Sequence, residues 1–333
     1  LKSVNVESNE KNRLNFRETL FTSDSMRTSI SGVILYDETI RQTSSKGILI
    51  PELIKKSGSI PGIKVDKGAK LLAGSNDEKI TEGLDGLRER MEEYYKLGAR
   101  FAKWRAVYSI SSKHPSEQCI KANAHALARY AAIVQEAKMV PIVEPEVLMD
   151  GSHTIDKCYE VTSEVLIECF NELKINNVNL KGIVLKPNMI LPGASCNQKA
   201  STEEIASKTV DCLKKNMPKE VPGVAFLSGG QSEIEATKNL NAINKINDTN
   251  FNGDGTFIFN GYTGGTDYIA LGVHTGVIDG SNNYNFRFGF YDGGWNFATS
   301  TVQPMVGEWY HIVGTWSTQG MKIYINGIEE GQN

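Results

Sequence analysis

Six short apolar runs punctuate the first three quarters of the chain: SGVILY (31–36), PGIKV (61–65), FAKWRAVY (101–108), VPIVEPEV (140–147), KGIVLKPN (181–188) and GVAFLSGG (223–230). Between them lie stretches such as LDGLRERMEEYYKLG and EQCIKANAHALARYAAIVQEAK. In the second, apolar residues recur at steps of three and four, the period of an amphipathic helix. Apolar strands alternating with such helices imply a parallel sheet buried on both faces. Six units in a row predict an α/β TIM barrel rather than a doubly wound sheet, and no GxGxxG follows the first run. The chain opens on a helix, about Asn9 to Thr22, with no strand before it, and the sixth unit ends at Ile246. A closed barrel of this type uses eight strands, so the expectation is an incomplete barrel of about six of the eight strand-helix units.

The pattern changes near residue 248. GTFIFNG, YIALGV, NYNFRFGFYD, WYHIVGTWS and MKIYING are short, aromatic and separated by Gly, Asn and Asp, which predicts an all-β, jelly-roll-like antiparallel sandwich. Composition shifts at the same place. All five cysteines precede it, whereas the residues after 250 hold 16 of the 31 glycines, three of the four tryptophans and only two basic side chains, Arg287 and Lys322. Two domains are therefore expected, a barrel segment at 1–247 and a sandwich segment at 248–333, joined at Asn247–Asn250.

A net charge of −3, from 36 basic and 39 acidic residues, gives no reason to expect nucleic acid or an anionic membrane as partner. No apolar run is long enough to cross a bilayer, and no signal-peptide pattern opens the chain, so the expected location is the cytoplasm. Cys119, Cys158, Cys169, Cys196 and Cys212 lack metal-ligand spacing, so no metal is expected and the thiols read as reduced.

Polar groups collect where the apolar runs end. Lys64 and Asp66 end the second, Lys103 and Arg105 lie in the third, Glu144 and Glu146 in the fourth, Lys186 ends the fifth and Ser228-Gly229-Gly230 ends the sixth. Barrel enzymes build their sites at this face. Side chains two apart on a strand point the same way, so Lys103 with Arg105, and Glu144 with Glu146, can face one mouth. Any one of these could be a solvated or paired charge; their recurrence on five strands argues for a site. Breaking a carbon–carbon bond beside a ketone needs an electron sink, and an imine with lysine supplies one. Burial and the nearby Lys103 are expected to lower the pKa of Lys186. Glu144 is placed to move protons. Lys64, Arg105 and the Ser228-Gly229-Gly230 turn, read as opening into a helix at Gln231, suit phosphates at the two substrate ends.

With these residues in place, the sequence resembles class I fructose-bisphosphate aldolase over about residues 7–246. SGVILYDET, PGIKVDKG, LDGLRER, FAKWRAVY, ARYAAIVQ, VPIVEPEVL, LKPNMILPG, FLSGGQSE and NLNAINK follow that family's order and approximate spacing. The resemblance implies a metal-independent enzyme without a cofactor, Lys186 as the imine lysine and Glu144 as main proton carrier, with Glu146 and Lys103 supporting the reacting centre. Arg105 and Lys64 would lie toward one phosphate, Ser228, Gly229 and Gly230 toward the phosphate beside the ketone. It also implies fructose 1,6-bisphosphate and the triose phosphates as substrates, a place in glycolysis and a homo-oligomer. The family pattern further includes an aspartate on a strand that would precede Leu1, and an eighth strand with a phosphate-binding glycine and arginine beyond NLNAINK. On that reading the barrel exposes two sheet edges and part of its core, and poor solubility or a molten state is expected unless the sandwich or another subunit covers the gap.

WYHIVGTWSTQGMKIYINGIEEG resembles laminin-G-like and concanavalin-A-like sandwiches. Asp254 and Asp279 read as turn residues more readily than as calcium ligands, and Trp295 and Tyr284 as core or turn aromatics more readily than as sugar platforms. Two other readings fit the same sequence: a glycan- or protein-binding sandwich carried on an inert barrel, and a join of two unrelated gene fragments.

Overall fold

The computed structural model describes residues 6–23, 26, 30–113, 115–250, 255–260, 268–275, 284–291, 295–302, 312–317, 320–325 and 328–332, with only the backbone course at 247–250 and over most of the strands beyond 255. The chain divides into two compact units, Leu1–Ile243 and Asn244–Asn333.

The first unit opens on α1 (Glu10–Phe21), capped by the Asn9 side chain, which accepts from Asn12 N at 2.9 Å. Then come β1 (Gly32–Leu35), the short helices α2 (Asp37–Arg41) and α3 (Ile50–Lys56), and β2 (Ile60–Lys64). A small hairpin of β3 (Ala69–Leu71) and β4 (Lys79–Thr81) leads to α4 (Leu87–Lys96) and β5 (Phe101–Tyr108). Next are α5 (Glu117–Glu136), β6 (Val140–Val147), α6 (Ile155–Ile175), β7 (Val184–Leu185) and α7 (Thr202–Asn216), and α8 (Glu233–Asn250) begins in the first unit. Ser116, Thr154 and Ser201 cap α5, α6 and α7, each accepting a backbone N–H of the first turn. The sheet order β1-β2-β5-β6-β7 follows the chain and every pairing is parallel, as helical crossovers require.

The sixth apolar run joins this sheet through a single parallel bridge, Leu185 to Val224, closed by Ala225 N to Leu185 O at 2.9 Å and Leu185 N to Gly223 O at 3.1 Å. The reason lies one strand back. β6 sends its even-numbered N–H groups toward β5, as Val140 and Leu148 show. Its odd positions face β7, and two of them, Pro141 and Pro145, have no N–H. Pro187 likewise removes a donor just after β7. The ladder is therefore short, and little of β7 remains for the next run to pair with.

Alternation along β5 sorts its two faces. Ala102, Trp104 and Ala106 are fully buried; Trp104 meets Tyr130 of α5 with ring centroids 5.5 Å apart. The Tyr130 hydroxyl donates to the carbonyls of Ala102 (2.6 Å) and Ile142 (3.2 Å), tying the helix to two strands. Phe101, Lys103 and Arg105 take the other face. The Phe101 ring lies over Gly62 of β2; a Cβ there would sit 2.3 Å from it, so glycine is required. Lys64 and Lys103 follow Gly62 and Phe101 by two positions on the same face of β2 and β5.

Among the described residues, the second unit holds two antiparallel sheets. β8 (Gly255–Asn260), β9 (Tyr268–Thr275), β10 (Tyr284–Tyr291) and β11 (Trp295–Thr299) form one, in the order β11-β10-β9-β8. β12 (Ile312–Ser317), β13 (Gly320–Ile325) and β14 (Ile328–Gln332) form the other. Ala298, Ile323 and Ile325 are buried. Asp254 and Asp279, and the side chains of Tyr284 and Trp295, lie outside the described residues.

Candidate active site

Five strand ends of the first unit carry the candidate residues. The parallel register sets Lys64 beside Lys103, Arg105 beside Glu144, and Val107 beside Glu146. Paired residues in a parallel sheet project to the same face, so these side chains share a face because of registration, and neighbours two apart extend it along each strand.

Glu144 is the centre. Its side chain is 3% exposed, one oxygen accepts from Lys186 Nζ, and the other lies 2.8 Å from Lys103 Nζ in ion-pair contact, though off the hydrogen-bonding direction. Lys186 itself enters from the last backbone bond of the β6–β7 ladder, Lys186 N to Val143 O at 2.8 Å. Two ammonium groups on one buried carboxylate offset a desolvation cost that a lone charge could not bear. One step further along β6, Glu146 accepts from Arg105 Nε, which holds the guanidinium firmly in its charged state. Arg105 is the more open partner, its side chain 43% exposed against 7% for Glu146. On the next strand Lys64 Nζ donates to the Asp66 carboxylate, and to the Asp66 carbonyl at 3.0 Å. The second carboxylate oxygen of Asp66 is buried without a hydrogen-bond partner.

Lys103, Glu144 and Lys186 therefore form one cluster, with Arg105–Glu146 beside it and Lys64–Asp66 on the adjoining strand. Ser228, Gly229 and Gly230 form a separate turn, where a Cβ on Gly230 would stand 3.0 Å from Met149 Sδ. Gly229 and Gly230 have φ of 61° and 86°, which is why this turn needs glycine. Gln231 does not open the helix as expected: α8 starts at Glu233. Ser232 and Glu235 make a capping box, with Ser232 N to Glu235 Oε2 at 3.1 Å and Glu235 N to Ser232 Oγ at 3.3 Å, and this fixes the helix start two residues later.

Two neighbours were not singled out from the sequence. Tyr36, at the end of β1, places its ring 6.0 Å from Lys64 Nζ, and the strand-end argument used for the lysines would have found it. Asn188, 3% exposed, accepts the Val147 N–H at 3.0 Å; no periodicity signals such a contact. Among the described residues, no three His, Cys, Asp or Glu side chains gather closely enough to hold a metal ion.

The comparisons with known proteins bear on this cluster directly. Residues 1–258 match the family model described as fructose-bisphosphate aldolase class-I, and residues 246–333 that of the concanavalin A-like lectin/glucanases superfamily. A probable class 1 fructose-bisphosphate aldolase of Xylella fastidiosa is 54% identical over 244 residues, 73% of each chain. The cytosolic fructose-bisphosphate aldolase 5 of Arabidopsis thaliana is 47% identical over 317 residues, 92% of this chain and 88% of that one. Among solved structures, the Plasmodium falciparum fructose-bisphosphate aldolase, crystallised with TRAP and a small-molecule inhibitor, superposes with a TM-score of 0.72 at 46% identity, over 74% of this chain and 71% of that one. A carboxylate shared by two lysines on adjoining parallel strands, within a matched segment of this length and identity, leads to one conclusion: the chain belongs to the class I fructose-bisphosphate aldolase family.

Proposed function

We propose that the first unit cleaves fructose 1,6-bisphosphate reversibly to dihydroxyacetone phosphate and glyceraldehyde 3-phosphate through an imine on Lys186. The observation that carries this is the Glu144 carboxylate held between Lys186 and Lys103. Lys186 passes a proton to Glu144, and its free amine adds to the ketone carbon to give a carbinolamine. Glu144, already in contact with that nitrogen, delivers the proton with which the hydroxyl leaves as water, and an iminium remains. When the bond between C3 and C4 breaks, a base takes the C4 hydroxyl proton and the electron pair flows into the iminium. The aldehyde departs and an enamine remains; protonation at C3 and addition of water release the ketone product and free the amine. Lys103, in contact with the other Glu144 oxygen, holds the carboxyl group in place.

Arg105 and Lys64 are the cations for the phosphate remote from the ketone, with the exposed guanidinium free to exchange Glu146 for phosphate. The Gly229–Gly230 turn, next to Ser228, presents backbone N–H groups toward the nearer phosphate. In this reading the first unit is a TIM-type barrel segment at 1–247, the second is a sandwich at 248–333, and the enzyme works in the cytosol as a homo-oligomer. Its test is borohydride trapping with dihydroxyacetone phosphate on the full chain. A mass increase confined to the peptide holding Lys186, absent in Lys186→Met, is the expected result. Label elsewhere, or none while a known family member labels in parallel, would overturn it.

A further inference from the structure

We propose that Asn188 is a positioning residue that sets the contact between Lys186 and Glu144, an inference that rests on the imine reading above. The two residues lie where the backbone ladder between neighbouring strands ends, at Lys186 N. β7 pairs with β6 only at Val184 with Ile142 and Leu185 with Val143. Beyond the bond from Lys186 N to Val143 O, Pro145 has no N–H to offer the β7 side. β6 nevertheless runs on to Val147, carrying Glu144 and Glu146. The Val147 N–H points toward the β7 side, away from β5, and would be orphaned there.

The Asn188 side chain takes the place of the missing ladder. Its Oδ1 accepts the Val147 N–H at 3.0 Å. Its Nδ2 donates to Thr162 Oγ1 on α6 at 3.2 Å and to the Met189 carbonyl at 3.0 Å. One turn of chain later, Ile190 N donates to Thr209 Oγ1 on α7 at 2.9 Å. Asn188, Thr162 and Thr209 are all buried, 3%, 2% and 1% exposed. A segment without regular structure, 187–190, is thus clamped to one strand and two helices by three buried polar side chains. Lys186 is two residues from the clamp on one side; Glu146 is next to Val147 on the other. Only an amide fits, because the position needs an acceptor toward Val147 and donors toward a hydroxyl and a carbonyl. A displacement of about 1 Å between reacting groups costs on the order of 100-fold in rate, so such a clamp acts on the chemistry and not only on the fold.

The experiment uses the full chain with Asn188→Ala and, as a second variant that leaves the amide in place, Thr162→Val. The charged groups that meet Lys186 are Glu144 from β6 and, through it, Lys103 from β5. Their arrangement is read by the pH dependence of acetic anhydride labelling at Lys186, followed by peptide mass. Turnover is read by kcat and KM for fructose 1,6-bisphosphate. Asn188→Ala is expected to fold, to shift the labelling profile, and to lower kcat on the order of 100-fold with KM changed about twofold or less. Thr162→Val is expected to move both readouts the same way by a smaller factor. Labelling profiles that superimpose on the wild type in both variants would overturn the proposal and leave Asn188 a merely structural amide. Should the wild type fail to turn over or trap substrate, the imine reading falls, while the labelling profile still decides for or against the clamp.

Discussion

Glu38 and Glu144 show what burial does to one and the same motif, a carboxylate between two cations. Glu144 is buried between Lys103 and Lys186. Glu38 receives Arg13 and Arg17 of α1 near the surface, with its side chain 34% exposed and Arg17 Nη1 at 2.7 Å. Hydrogen bonds from Arg13, then Arg17, pull the Glu38 carboxyl from an ordinary value of 4.5 to about 2. The folded value is depressed, so this tether adds stability above pH 4.5 and loses it as pH falls through about 2. The α1 amides should therefore lose hydrogen-exchange protection over that interval, ahead of the amides of α5. Glu38→Gln should remove the pH dependence at once, and salt should weaken it, because the pair is exposed. Protection of α1 that is flat from pH 5 to 2 in the wild type would show that the tether carries nothing.

At the scale of elements, the crossover helices and long strands were legible because local chemistry and global pattern agree. A Ser or Thr cap, a helical period and an apolar run recur in that order, and the structure places α5, α6, β5 and β6 there. Pairing of Lys103 with Arg105, and of Glu144 with Glu146, followed from strand alternation alone. The meeting of Glu144 with Lys186 across 42 positions did not, since it depends on register between strands. Nor did the truncation of β7, which reflects prolines on two different strands, or the late start of α8, which a capping box decides. Helix ends offer a direct check. α5 ends at Glu136; two residues on, Lys138 has a left-handed φ of 59°, and the turn closes with Met139 N to Val134 O at 3.1 Å. Glycine adopts that conformation without the Cβ clash, and the Lys138 side chain is exposed. Lys138→Gly should therefore raise stability by about 0.5 kcal/mol, after the entropy glycine adds to the unfolded chain. A thermal melt settles the sign: a lower Tm in the variant would mean that the lysine compensates for its own strain.

On the scale of the whole molecule, the two units differ in what they expose to alkali. All five cysteines are free and buried in the first unit, and the second has none. Burial pushes the Cys158 thiol up to about 11 and Cys169 to about 12, from an ordinary value of 9.0. Burial also raises the buried phenols Tyr108 and Tyr130 well above 10.0. Between pH 9 and 11 the unfolded chain therefore releases protons that the folded first unit retains. The unfolded state binds fewer protons, so stability falls with rising pH, by about 1.4 kcal/mol per pH unit for each such thiol. Urea midpoints of the first unit, followed by thiol labelling at constant ionic strength, should drop steeply from pH 9 to 10 and little from 7 to 8. Cys169→Ala should lower the midpoint at pH 7, through the cavity it leaves, yet flatten the alkaline slope. A midpoint that stays level to pH 10 would mean the thiols ionise in place.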